Sequence, residues 1–407
     1  MKKFVLAAVL LAVMFAFTAC GDDDPGYDLL VWVHDVAFGE ALVAAFMDAN
    51  PDYRIDWEHV GMTDQRAQHN LDGPAGIGPD VFVQPHDGVA IAIADGMVEP
   101  FPADLQARIV ATVLPTAVDT AMHGGRLYGA PFQTENIAFL YNREFVQTPP
   151  ASFEEVLAFA AEWNDPAQNR FAMRWQVNDA FHNYPFLTAF GFSVFGPNMD
   201  DWTQMPFLDD SVRLGLEMHN QFRQYFDFAT DDVTWENSVA AFQRGEVPFT
   251  ITGPWALADA RANNIDFGVT RLPTMGGNQP RVFSGATIAH VSTFSENKPL
   301  AFQFVEFMAS EAGARVMFES IGTLTALNDV SGVPGLVDDP HLMGFQEQAP
   351  FSNPMPTIPE IDFMWEPIAA LFTHTWNGAL TIPEAQEHAM QMYIDLLAAA
   401  GLTFPQN

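Results

Sequence analysis

A single cysteine serves the whole chain, and its position constrains both how the protein is held together and where it works. Cys20 closes an apolar run from Phe4 to Phe17 that follows Lys2 and Lys3. The run is long enough for the core of an export signal and short for a spanning helix. It ends Phe17-Thr18-Ala19-Cys20, small residues leading into the cysteine, as a lipoprotein signal peptidase and attachment of diacylglycerol to the thiol require. Residues 1–19 are therefore expected to be a signal peptide and Cys20 a lipidated terminus. Residues 20–26, with Gly21-Asp22-Asp23-Asp24-Pro25-Gly26, are expected to be a polar tether. With Cys20 committed to lipid, no disulfide forms even in an oxidising compartment, and the 388 residues from Cys20 onward must hold together by burial alone. That length exceeds what one core sustains, so two domains are expected. No second apolar stretch of spanning length follows.

Apolar residues make up 49% of the chain and aromatics 13%, which is enough material for two cores. Charge restricts the partners. Two of the 17 basic residues lie in the signal, leaving 15 against 51 acids and a net charge of −36. Nucleic acid and anionic membrane surfaces are thus poor partners for the chain as a whole. The acids are spread along the chain and Lys298 is the only lysine after the signal, so acidity belongs to the whole surface. Such self-repulsion is tolerable where salt screens it within a few ångströms, and a melting temperature that rises with sodium chloride is the mark of that adaptation.

Strand and helix patterns alternate, and no internal repeat appears. Leu29 to His34 is an apolar strand. Phe38, Leu42, Ala45 and Phe46 have helical spacing, and Pro51 stops the helix after Asn50. Tyr53 to Val60 and Asp80 to Gln84 read as further strands, and Val89 to Ala94 as a short helix ending at Gly96. The class is α/β, with a parallel sheet whose ligand groups lie at the carboxyl ends of its strands, here His34-Asp35 and Gln84-Pro85-His86-Asp87. Ser152-Phe153-Glu154-Glu155 and Thr381-Ile382-Pro383-Glu384 read as capping boxes that open helices running to about Trp163 and Gly401.

Several strings in order resemble the maltodextrin-binding proteins of the family 1 extracellular solute-binding group. They include Val31-Trp32-Val33, Gly78-Pro79-Asp80 with His86-Asp87, Gly125 to Pro131 with Glu135, Leu140-Tyr141-Asn142, Thr252-Gly253-Pro254-Trp255-Ala256, Phe267 to Thr270, and Ile358-Pro359 with Trp365. The resemblance covers nearly all of the chain after the signal. It implies a two-lobed periplasmic-binding-protein-like fold, the type II or Venus flytrap form, with three interlobe crossings near residues 134, 286 and 334. Lobe 1 would comprise 27–133 and 289–334, and lobe 2 135–285 and 335–407. Sugar would bind between the lobes, and closure would signal a loaded state to the permease subunits of an ABC importer.

Carried over residue by residue, the resemblance puts carboxyl groups for sugar hydroxyls at Asp35, Asp87, Glu135 and Asp179. It puts stacking indoles at Trp255 and Trp365, and Phe181 where the family has a tyrosine. A pyranose suits this set, because vicinal hydroxyls donate to carboxylates and C–H faces lie on aromatic rings, so a neutral oligosaccharide needs no fixed cation. Basic cleft residues of the family are missing: Gly88, Ala369, Val36 and Ala37 stand at their positions, and Gln84 replaces an indole. By residue type alone Trp255 and Trp365 also fit a core, Asp35 and Asp87 also fit helix caps, and Asp179 competes with Asn178 and Asn183. Glu135 interrupts an apolar stretch, where a buried unpaired carboxylate costs several kcal/mol, which favours a cleft or a paired site.

Enzymatic readings find little support. The chain has no Walker lysine, no His-Glu-x-x-His and no paired cysteine motif, and Gly73-Pro74-Ala75-Gly76-Ile77-Gly78 reads as a turn. No metal or other cofactor is expected, His34 and His86 being read as polar cleft residues, and the protein is expected to be a monomer. A secreted glycoside hydrolase remains the alternative outside transport, since sequence alone does not give the separation of two carboxylates. Within transport the alternative is a cationic solute such as a polyamine.

Overall fold

The computed structural model describes residues 26–226 and 228–405. The signal segment and Cys20 lie outside the described residues.

The first sheet is built as the patterns require. Strand β1 (Leu29–Val33) is buried along its whole length, the mark of a strand covered on both faces. It pairs in parallel with β2 (Ile55–His59) and β3 (Val81–Pro85). The helix Val36–Ala49 returns the chain between β1 and β2 and buries Phe38, Leu42, Val43 and Phe46 against them. A hairpin of β4 (Met122–His123) and β5 (Arg126–Leu127) precedes β6 (Ala130–Asn136). The second sheet is antiparallel, with β7 (Ala138–Asn142) between β8 (Phe249–Thr252) and β9 (Phe267–Thr270).

The two halves are joined by long strands. Strand β10 (Val282–Val291) runs antiparallel to β3 along residues 287–291 and to β6 along residues 284–289. Its first residues pair in parallel with β11 (Ser352–Pro354). Phe283 at one end of β10 packs in a core with Phe153, Tyr184 and Trp376, while Ile288 at the other end packs in a core with Val31, Val83 and Phe304. Strand β6 makes the same passage, Phe132 lying in the first-sheet core and Ile137, the residue just past the strand's end, in the other. A third cluster seats Leu327, Val333 and Leu336 against Leu140, Phe242 and Phe267, so the chain also passes between halves near residues 327–336. The result is a two-lobed α/β architecture.

The expected helix starts are present with one difference. Ser152 caps Phe153–Trp163 by accepting from the Glu155 N–H at 3.3 Å, but Glu155 reaches back to the Ala151 N–H at 2.8 Å, one residue earlier than a capping box requires. At Thr381 the glutamate does return to the cap, the Thr381 N–H donating to Glu384 Oε2 at 2.9 Å. Helix Ile382–Ala399 is released at Gly401, whose φ of +79° suits glycine.

Candidate functional site

The site starts from the glycine and proline before Trp255. Pro254 opens a single 3₁₀ turn, Pro254–Ala256, directly after β8, and this turn sets the indole at the strand end. A Cβ on Gly253 would lie 2.2 Å from the Trp255 ring, so only glycine lets the indole fold back over the chain. Trp255 then lies 6.4 Å from Phe181 between ring centres, Phe181 lies 6.1 Å from Phe283, and Phe283 lies 5.7 Å from Trp365. Three of these rings are half-buried and Phe283 is fully buried. Tyr184 stacks on Phe283 at 3.7 Å and 8°, fixing it as the floor of the row. Partly exposed rings on a rigid base form a surface on which the C–H face of a sugar can lie.

Strand β10 also runs past a carboxyl group. Two residues after Phe283, Gly285 is the register partner of Glu135 on β6. Burial pushes the Glu135 carboxyl up to about 7, and the neighbouring Asp87 adds to the shift. Asp87 is likewise raised by burial and by Asp362, with His86 and Arg66 opposing. Two half-buried acids therefore share one neighbourhood, and among the described residues Glu135 accepts no hydrogen bond from another side chain, an arrangement that hydroxyl donors would satisfy.

Asp35 and Asp179 are placed differently. Each caps a helix: Asp35 accepts from the Phe38 N–H at 2.9 Å, and Asp179 accepts from the His182 N–H at 2.7 Å. Asp179 Oδ1 also receives His182 Nδ1 at 2.5 Å. Burial would raise the Asp179 carboxyl, but the histidine and the backbone donors outweigh it and hold the group low. Its partner His182 lies 6.5 Å edge-on from Trp255, which sets Asp179 beside the aromatic row. No hydrogen bond joins Asp35 to the row or to Glu135 among the described residues, although β1 and β3 are parallel neighbours.

His86, read from the sequence as a polar cleft residue, is turned into the protein. It is fully buried, its Nδ1 accepts from the Ala286 N–H at 3.2 Å and its Nε2 faces the Met355 carbonyl at 3.2 Å. One neutral tautomer satisfies both bonds, and burial lowers the pKa in favour of that form. His86 thus pins β3 to the joining strand and to the segment after β11. His34 is held neutral as well, burial pushing its pKa down to about 4.

One site residue was missed. Arg66, on helix Gln65–Asp72, pairs with Asp362 at 3.1 Å, and Asp362 opens the helix Asp362–Trp376 that carries Trp365. A cation therefore does stand beside Asp87, supplied by an element other than those that lack it by resemblance. The pair links the two lobes across 296 residues of sequence. Its atoms are about one-third exposed, so its contribution is modest, about 0.5 to 1 kcal/mol. Replacing Arg66 by Ala should loosen the approach of the two halves, and small-angle scattering of the unliganded protein should report a larger radius. An unchanged radius would show that the pair does not hold the lobes together.

A cavity of about 550 Å³ lies at the junction of the lobes, lined by Glu135, Asn136, Ser284 and Gly285 together with Thr116, Thr120, Phe345 and Pro354. It reaches Glu135 but none of the four rings. No group of three or more metal-ligating side chains occurs among the described residues, and no described helix is long and apolar enough to cross a membrane.

Comparison with known proteins agrees with this architecture. The family model described as bacterial extracellular solute-binding protein matches residues 41–344. The maltotriose-binding protein of Pyrococcus abyssi is 26% identical over 332 residues, 80% of this chain and 71% of that one. The galactooligosaccharide-binding protein of Bacillus subtilis is 22% identical over 96% of both chains. Among solved structures, a Thermus thermophilus maltotriose binding protein bound with maltotriose superposes with a TM-score of 0.83 at 24% identity, over 91% of this chain and 100% of that one. A cyclo/maltodextrin-binding protein complexed with maltotetraose gives a TM-score of 0.75 at 25% identity, over 91% and 97%.

Proposed function

Since the chain belongs to the bacterial extracellular solute-binding proteins, we propose that it captures a neutral oligosaccharide between its lobes and delivers it to the permease subunits of an ABC importer. The observation that carries this reading is the row Trp255, Phe181, Phe283 and Trp365, whose buried member Phe283 lies on β10 two residues before the register partner of Glu135. Sugar C–H faces would stack on Trp255 and Trp365, with Phe181 between them. Hydroxyls would donate to Asp87, Glu135 and the free oxygens of Asp35 and Asp179. Malto-oligosaccharides and galacto-oligosaccharides are the ligand classes named for the relatives.

The lobes divide in this reading at residues 134, 286 and 334, and closure about the joining strands signals loading. Catalysis is not part of it, and neither is a bound cofactor. The chain works as a monomer outside the cytoplasm, held to the membrane through lipid on Cys20 once residues 1–19 are removed. Mass spectrometry of membrane-extracted protein tests the anchor, an unmodified Cys20 being the result that removes it.

A thermal-shift panel of maltose, maltotriose, maltotetraose, galactobiose and spermidine tests the ligand. Ligand that binds only the native state raises the midpoint, by about 2.7 kcal/mol of stability at a hundred times Kd. A rise with spermidine alone would replace the sugar reading with the cationic one, and release of reducing ends from an oligosaccharide would replace transport with hydrolysis.

A further inference from the structure

We propose that the second lobe carries an anion site separate from the sugar cleft, where Arg170, Arg174 and Arg244, three cations against the carboxylates Asp232 and Glu246, line a cavity of about 820 Å³ and bind a phosphate-class oxyanion. Arginine is scarce in a chain of formal net charge −34, and more than half of the described arginines are neutralised by a carboxylate. Arg170 and Arg174 form no ion pair among the described residues, yet they line the same cavity as a third arginine.

Each guanidinium is fixed by part of its donor set, and the rest is free. Arg170 donates its Nε to the Trp163 carbonyl at 3.1 Å and lies 5.4 Å from the Trp163 ring centre, leaving both terminal nitrogens uncommitted. Arg174 donates one terminal nitrogen to the Asn169 carbonyl at 3.1 Å and to Asn169 Oδ1 at 2.8 Å, and its guanidinium stands 5.5 Å from the Phe171 ring centre. Arg244 holds Glu246 through Nε and one terminal nitrogen at 2.6 and 2.8 Å, which leaves its other terminal nitrogen free. The supports are built rather than incidental. Asn169 sits at a φ of 53° after the turn Pro166–Gln168, and the backbones of Asp165 and Arg170 exchange hydrogen bonds at 2.8 and 3.0 Å.

Burial and the charge of Arg244 both disfavour the Arg174 cation, and Glu246 only partly offsets them. An oxyanion would relieve that repulsion and take the free fork donors, a geometry guanidinium offers to phosphate better than ammonium does. The same chemistry fits two sources, a soluble phosphate or a phospholipid headgroup.

Both sources are tested on the full chain at constant ionic strength, since screening alone stabilises so acidic a protein. Calorimetric titration with sodium phosphate against a sodium chloride blank should show saturable binding. Flotation with vesicles of phosphatidylcholine, with and without phosphatidic acid, tests the headgroup. Binding in either arm that weakens at least about tenfold in Arg170→Gln and in Arg174→Gln, but not in Arg126→Gln, supports the site and identifies the source. Arg170 is exposed, so its variant carries the test if Arg174→Gln does not fold. Responses equal to the chloride and phosphatidylcholine controls, or unchanged in both arginine variants, overturn it. Trp255→Ala should leave phosphate binding intact, which keeps this site distinct from the sugar cleft.

Discussion

Replacing Trp255 by Ala should weaken oligosaccharide binding by about 2 kcal/mol, roughly thirtyfold, and leave the melting temperature nearly unchanged. The indole is half-buried at a strand end, with Phe181 and His182 as its ring neighbours, and it is not part of the fully buried core. Its removal therefore takes a stacking face from the ligand and little packing from the lobe. A core tryptophan would show the reverse, with about 3 to 5 kcal/mol of folding stability lost. Isothermal titration and denaturant unfolding on the same variant separate the two, and an unfolded Trp255→Ala with no specific loss of affinity would falsify the site. Gly253→Ala provides a second check. It removes no contact surface, but its methyl would occupy the space of the indole ring and push Trp255 out of the row. Affinity should fall here too, with the Trp255 side chain still present.

Stability should fall steeply as pH drops from about 6.5 to about 4. His69, His219 and His290 have no solvent-exposed surface, and burial holds their pKa values at about 4, 3 and 4. The unfolded chain takes up protons on these rings below about 6.5 while the folded chain does not. Their stabilising effect is therefore full above 6.5 and declines as pH falls. Glu135 and Asp87 act in the opposite sense, because burial raises both carboxyls and the folded state gains their protons first as pH falls, from about 7 in the case of Glu135. These two carboxyls do not cancel the three histidines together with His34 and His86, which burial lowers as well, and a net loss of several kcal/mol is expected by pH 4. Urea midpoints at pH 7 and pH 5 measure it. His219 is enclosed by Trp175, Phe186, Phe372 and Trp376, with no normal hydrogen bond to either ring nitrogen. His219→Phe should flatten the pH dependence, and equal midpoints at both pH values in the wild type would refute the account.

Much of the site is legible one residue at a time. Trp255 follows Gly-Pro at the end of a strand, and Glu135 breaks an apolar run, so both are marked by local chemistry. Phe283 carries no such mark. It is one of 36 phenylalanines, and only its contacts with Phe181, Tyr184 and Trp365 reveal it as the floor of the aromatic row. Arg66 is equally unmarked. It lies on a helix whose apolar pattern is weak, and its importance rests on Asp362. His86 was misjudged because a polar residue at a strand end fits an open cleft as well as it fits a buried joint.

Sequence alone determines what depends on near neighbours or on composition: a single cysteine and so no disulfide within the chain, the alternation of strand and helix, the helix caps and the dispersed acidity. These follow from periodicity, caps and composition, which act over a few residues. Tertiary structure decided which side chains meet. Arg66 reaches Asp362 across 296 residues, His86 reaches Met355 across 269, and Gly285 faces Glu135 because β10 and β6 pair in one register. Register and lobe contact arise from burying two cores on shared strands, a condition of the whole chain that no local pattern carries.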